Sequence, residues 1–249
     1  MTNNWVLVTG SAHRVGKAIA EKFVSQGYNL YLHYNQSEEK AVQTKHEFEK
    51  YGQEIKLIQA DLSDTTGIDY VVEMLPESGL KVLVNSAAEF MKKDFLKVGS
   101  EEWDHTMEVS LKAPFLLTQA VAGLMANNEG NDKGSIVNIS DLSGIMPWKG
   151  YSTHGIAKAG LIHLTKTSAL ELSPEIRVNA IVPGIILKPD SLDSEGRWKQ
   201  MIANVPLKRS GDPQNIAEAA YFLATNSFVT GIVLPVDGGE SLVGSINHL

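Results

Sequence analysis

The 249 residues contain no cysteine, which excludes a disulfide framework, a thiolate nucleophile and any iron–sulfur or zinc–thiolate centre. Long apolar runs are missing too: nothing approaches the roughly 18 residues that would suggest a bilayer span. The opening Met1-Thr2-Asn3-Asn4 lacks a basic region followed by an apolar one. A cytoplasmic protein without membrane partners is therefore expected. Positive charge is scarce, with 22 Lys and Arg against 29 acids and a net charge of −7. A nucleic-acid surface needs clustered cations to meet phosphates, so none is expected. The seven histidines are scattered with no HExxH-like spacing, and no metal site is expected. No repeat, low-complexity stretch or linker interrupts the chain.

With 43% hydrophobic residues, the length suits one α/β domain over 1–249 with a large core. Trp5-Val6-Leu7-Val8-Thr9 reads as a buried parallel strand and runs directly into Gly10-Ser11-Ala12-His13-Arg14-Val15-Gly16. A helix follows from Lys17 to Gln26, with Ala18, Ile19, Ala20, Phe23 and Val24 at helical spacing and Gly27 as a cap. Strand, glycine loop and helix N-terminus form an anion site because unpaired amides and the helix dipole converge there. Further strands are expected at Ile55–Gln59, Lys81–Asn85, Ser135–Ile139, Arg177–Val182 and Ile232–Val236. Helices are expected at Glu38–Tyr51, Thr65–Met74, Glu101–Asn127, Tyr151–Leu172 and Pro213–Thr225. Such alternation gives a single-domain, doubly wound Rossmann fold with a mostly parallel, seven-stranded sheet covered on both faces.

Ligands of such a fold bind beyond the carboxyl ends of its strands. The second strand, Asn29–Tyr34, ends where an acid would take the ribose 2′-hydroxyl of NAD, and no acid is present: His33, Tyr34, Asn35, Gln36 and Ser37 stand there instead. With Arg14 from the glycine loop, these donors favour a 2′-phosphate and hence NADP(H); alternatively Arg14 is a solvated charge and Ser37 a helix cap. Asp61-Leu62 after the third strand either brackets the adenine or makes a turn. Asn85-Ser86-Ala87 and Ser140 mark the next two strand ends. Pro183-Gly184 with Ile186 offers backbone groups to a nicotinamide carboxamide.

Thr9-Gly10 with Gly16, Asn85-Ser86-Ala87, Lys158, Pro183-Gly184 and Val236-Asp237-Gly238-Gly239 together resemble the short-chain dehydrogenase/reductase family over essentially the whole chain. Arg14, the segment Leu32-His33-Tyr34-Asn35-Gln36-Ser37 and Asp141, where most members carry a serine, are similar to pteridine and dihydromonapterin reductases. The resemblance implies hydride transfer from NADPH to a conjugated C=N or C=O, with a pteridine favoured, and a homotetramer or dimer built through the two long helices. It also implies that Phe90 stacks on the substrate ring and Tyr151 shapes its site, although Phe90 as an ordinary buried aromatic is the competing reading. Trp148 lines the pocket or packs in the core, and Trp198 belongs to a lid over about 187–206.

Two positions depart from the family pattern. The tyrosine that protonates substrate is replaced by His154, four residues before Lys158, and the relay asparagine by Ser110. An imidazolium is a competent acid near its ordinary pKa of about 6.5. Lys158, one turn away, lowers that value, and Asp141 raises it if it reaches the ring. Asp141, His154, Lys158 and Ser110 are thus the candidate catalytic residues. Two alternatives stay open: a ketone or 3-oxoacyl reductase, which Asp141 argues against, and a silent NADP(H)-binding protein in which His154 only packs.

Overall fold

The computed structural model describes residues 4–188 and 195–243. Its seven strands are β1 (Trp5–Val8), β2 (Asn29–Tyr34), β3 (Ile55–Gln59), β4 (Leu80–Asn85), β5 (Gly134–Ile139), β6 (Ile176–Pro183) and β7 (Val233–Val236). They form one parallel sheet in the order β3-β2-β1-β4-β5-β6-β7. The order reverses between β1 and β4, where Val8 sits level with both Leu32 and Val84. Crossovers leaving these two strands go opposite ways and open a crevice at their carboxyl ends.

Every residue of β1 is buried, as a strand covered on both faces requires. Val6 and Val8 enter one core with Phe23, Leu32, Val84, Ile216 and Leu223. Trp5 and Leu7 enter the opposite one with Tyr31, Leu83, Leu117, Val121 and Val178. The first core packs beneath helices α1 (Arg14–Ser25), α2 (Glu38–Phe48) and α8 (Pro213–Thr225), the second beneath α3 (Thr65–Glu73), α5 (Ala113–Met125) and α6 (Ser152–Glu171).

The long helix expected over Glu101–Asn127 is not continuous. It divides into α4 (Ser100–Met107), a π-helical turn over Glu108–Lys112, and α5. Insertions of this kind bend a helix and recur at functional sites; here the turn carries Ser110. Glu38–Tyr51 likewise ends as a 3₁₀ turn from Glu49. The segment expected to form a lid contains a helix not foreseen from sequence, α7 (Glu195–Asn204), bearing Trp198; residues 189–194 of that segment lie outside the described ones.

Arg177 of β6 fastens α8 to the sheet. Its guanidinium is 7% exposed and donates to the Leu223 carbonyl at 2.8 Å and the Ala224 carbonyl at 2.6 Å. Asp132 lies 3.5 Å from its Nε. Those carbonyls are the unpaired acceptors at a helix C-terminus, where a cation also meets the negative end of the dipole. Arg177→Met is expected to cost about 3 kcal/mol in urea unfolding, because buried acceptors lose a charged donor. An unchanged midpoint would show that water replaces the guanidinium.

Candidate active site

The site lies along the carboxyl ends of β1, β4, β5 and β6. Gly10 adopts φ +65°, a left-handed conformation that glycine takes without strain. A Cβ there would come within 3.0 Å of the Ala87 Cα, and one on Gly16 within 2.3 Å of the Gly10 carbonyl oxygen. The loop is therefore closed against the strand after β4 and against its own helix. Thr9 secures the closure: its hydroxyl oxygen accepts the Ser86 and Ala87 amides at 2.9 and 3.0 Å. His13 at the N-cap of α1 places no side-chain cap on the first-turn amides. Arg14, the first residue of α1, is exposed with φ 55°, and Val15 is half-buried.

The cofactor residues named from sequence separate into two groups. Tyr34, Asn35, Ser37 and Asp61 gather at the ends of β2 and β3. Tyr34 is buried, Ser37 makes no side-chain cap for α2, and Asp61 is held by Ser63 and Asn35. Other side chains turn inward instead. Leu62 is core, Asn85 Nδ2 donates to Asn138 Oδ1 at 2.8 Å, and Ser140 Oγ donates to the Lys158 carbonyl at 3.0 Å. These residues shape the strand ends through their backbones, which is why a residue-type reading assigned them to the ligand. The turn after β6 is fixed at Ile185, whose amide donates to the buried Glu240 carboxylate at 3.1 Å and whose carbonyl accepts from Gly211 at 2.8 Å. That leaves Pro183, Gly184 and Ile186 on an immobilised segment. Thr9 was quoted from sequence only with its glycine, and His33 was placed among the donors to a 2′-phosphate, whereas its ring is 2% exposed and turned inward to Gly10 and Ala60; Glu240, directly beyond the quoted Val236-Asp237-Gly238-Gly239, was not named.

His154 and Lys158 share the buried stripe of α6, each 3% exposed, as spacing of one turn dictates. His154 Nδ1 lies 2.8 Å from the Glu89 carbonyl. A carbonyl only accepts, so Nδ1 carries the hydrogen, and in the neutral ring Nε2 holds the lone pair. Nε2 is buried without a hydrogen-bond partner among the described residues, 3.8 Å from Asp141 Oδ1. Asp141 therefore does reach the ring. Burial, then Lys158, push the histidine pKa below its ordinary value; Asp141 and the Glu89 carbonyl oppose them without reversing the shift. At neutral pH the ring is predominantly neutral, so its Nε2 accepts a proton and donates one only after acidification. Lys158 Nζ donates to the Ile139 carbonyl at 2.7 Å, and burial lowers its pKa to about 8.

Ser110 works one layer back. Its hydroxyl oxygen accepts the Glu89 amide at 3.1 Å, and the same residue's carbonyl orients His154. The π-helical turn therefore fixes the histidine tautomer through Glu89. Phe90, next in sequence, is 47% exposed. It stacks on Tyr151 at 4.9 Å and 29° and meets His154 edge-on at 4.9 Å. Trp148 packs edge-on to Tyr151 at 6.0 Å. These rings form one wall beside His154. Trp198 is half-buried on α7, and among the described residues no ring contact joins it to that wall.

Comparison with known proteins agrees with this layout. The family model described as Enoyl-(Acyl carrier protein) reductase matches residues 10–241. The chain is 33% identical over 246 residues to a 3-oxoacyl-acyl-carrier-protein reductase of Staphylococcus epidermidis, covering 95% of this chain and 98% of the relative. It is 32% identical to a 3beta-hydroxysteroid dehydrogenase of Eggerthella lenta, covering 95% and 93%. A blue fluorescent protein from a metagenomic library, solved in complex with NADPH, superposes with a TM-score of 0.86 at 28% identity, over 96% and 98% of the two chains. Both curated relatives carry names of ketone or alcohol chemistry, so the nearness to pteridine reductases expected from Arg14 and Asp141 is not what these identities support. Parallel sheet, glycine loop, Lys158 and a match over nearly the full length place the chain in the short-chain dehydrogenase/reductase family.

Proposed function

We propose that the protein is an NADP(H)-dependent oxidoreductase interconverting a ketone and a secondary alcohol, with a 3-oxoacyl compound or a similar ketone as substrate. The observation that carries the reading is the unpartnered Nε2 of His154, buried beside Lys158 and 3.8 Å from Asp141. Such an atom at a strand-end crevice is placed to exchange a proton with a substrate oxygen. The cofactor, when bound, supplies or accepts the hydride. The chain's residues fit it: bare backbone at Gly10 and Gly16 lets a pyrophosphate approach, Arg14 with Ser37 suits a 2′-phosphate, and Lys158 suits a ribose. Its own chemistry is then orientation, exclusion of water and one proton transfer at Nε2.

Gly16→Ala tests the cofactor half. The new methyl overlaps the Gly10 carbonyl, and relief by backbone movement costs about 1–3 kcal/mol, so NADPH affinity should fall roughly tenfold or more. Unchanged titration would show that the loop does not hold the pyrophosphate.

A second reading, a pteridine as substrate, is favoured by the exposed face of Phe90 stacked on Tyr151 next to His154, a surface suited to a flat ring. One panel separates the readings: NADPH oxidation with 3-oxoacyl thioesters, simple ketones and dihydropterins, and NADP⁺ reduction with the matching alcohols. Turnover of ketones and alcohols supports the main reading, and selective turnover of pterins the second. Tight NADPH binding with no turnover, restored in His154→Tyr, would instead mark a cofactor-binding sensor. We propose also that the chain assembles as a homotetramer or dimer through α5 and α6, on which Phe115 and Ile156 are about half exposed; light scattering decides this.

A further inference from the structure

We infer that His33 is a positioning residue that holds the dinucleotide loop in its binding shape, accepting the Gly10 amide at one ring nitrogen while donating to the Ala60 carbonyl from the other. The inference rests on the NADP(H) reading above and assigns a role within it to a side chain unlike any at the substrate end.

His33 lies on β2, between the two strands it connects. The Gly10 amide donates to its Nδ1 at 3.1 Å, and its Nε2 lies 3.1 Å from the Ala60 oxygen. Its own backbone carbonyl accepts the Ser11 amide at 3.0 Å. One residue therefore grips the first two residues of the glycine loop and ties them to the residue preceding Asp61. An N–H facing Nδ1 and a carbonyl facing Nε2 admit a single protonation state, the neutral ring with hydrogen on Nε2. The side chain is 2% exposed, and burial holds its pKa down to about 4; Asp61 is the charged group pulling the other way. The ring thus stays an acceptor toward Gly10 across the neutral range.

Gly10 needs such an anchor because it turns sharply, at φ +65°, where a Cβ would come within 3.0 Å of the Ala87 Cα. Its amide points toward the buried ring of His33. Left unpaired, it would favour loop conformations in which water reaches it, and those are not the conformation that meets a pyrophosphate.

Two amide side chains divide the histidine's two functions. Asn places its oxygen near the Nδ1 position, and Gln reaches the Nε2 position. Isothermal titration with NADPH should give His33→Asn an affinity within about threefold of the natural protein. His33→Gln and His33→Leu should be weaker on the order of tenfold, the effect of leaving one buried amide unpaired. Turnover at saturating cofactor should stay the same, so that KM moves without kcat. Equal affinity for the Asn and Gln variants would overturn the inference. If the natural protein bound no NADPH, the proposed function would fall, and the positioning role would be decided by amide exchange in the ligand-free protein. Gly10 should be protected in the natural chain and in His33→Asn and exposed in His33→Gln, while equal rates would overturn the role. Should His33→Gln not fold, nitrogen-15 spectra of the natural protein decide: hydrogen on Nε2 supports the role, and hydrogen on Nδ1 overturns it.

Discussion

His154→Phe is expected to lower turnover about 10²–10⁴-fold, the usual contribution of a positioned acid or base, with little change in NADPH affinity. Phenylalanine keeps an aromatic ring beside Phe90 and removes both nitrogens. The Glu89 carbonyl then loses its donor, a cost of about 1 kcal/mol in stability, too small to account for the loss of rate. The pH profile of the natural protein carries the sign. Because burial and Lys158 lower the histidine pKa, Nε2 is an available acceptor throughout the neutral range. Alcohol oxidation should therefore be flat at neutral pH and fall below the ordinary histidine value as the ring gains its proton. Ketone reduction draws on the imidazolium and should rise over the same acidic interval. Acidic limbs that do not run in opposite senses in the two directions, or a phenylalanine variant of full activity, would remove His154 from proton transfer.

This reverses the emphasis that sequence alone gives to His154. Its place one turn before Lys158 and the opposing pulls of Lys158 and Asp141 were legible, because helical spacing and charge are local. Which nitrogen carries the hydrogen was not, since that depends on the Glu89 carbonyl, 65 residues away in sequence. Ser110 shows the same limit. The family pattern singled out its position, but its bond to the Glu89 amide follows from a π-helical turn that no periodicity announced. The sheet was easier to read. The inner strands β1, β4, β5 and β6 are short runs buried almost throughout, while the edge strands β3 and β7 are partly exposed, and alternation with helices points to a parallel order. The strand ends lay between these extremes: Asn85 and Ser140 do stand at the ends of β4 and β5, yet their side chains bond into the core, and only coordinates distinguish a side chain that faces a ligand from one that supports the backbone facing it.

Lys158→Met should separate catalysis from folding more sharply than any other substitution in the site. Turnover at neutral pH is expected to fall on the order of 10²-fold, as an orienting contact and a proton-transfer environment are lost together. Stability is expected to hold or rise. A lysine whose pKa drops from 10.5 to about 8 on folding opposes the folded state by about 3 kcal/mol. That penalty is complete below pH 8 and disappears between pH 8 and 10.5, so the natural protein should gain stability across that interval while the methionine variant does not. Against this stands the Ile139 carbonyl, which loses the ammonium at 2.7 Å at a cost of about 1–3 kcal/mol, leaving a net change near zero or favourable. A third readout comes from His154. Lys158 is the second cause of its lowered pKa, and removing the positive charge lets that pKa climb, so the acidic fall in alcohol oxidation should move to higher pH. An impaired but equally stable variant whose remaining activity keeps the natural pH profile would show that Lys158 anchors ligand without tuning the histidine. A variant that unfolds would show that the buried ammonium is a structural necessity of α6.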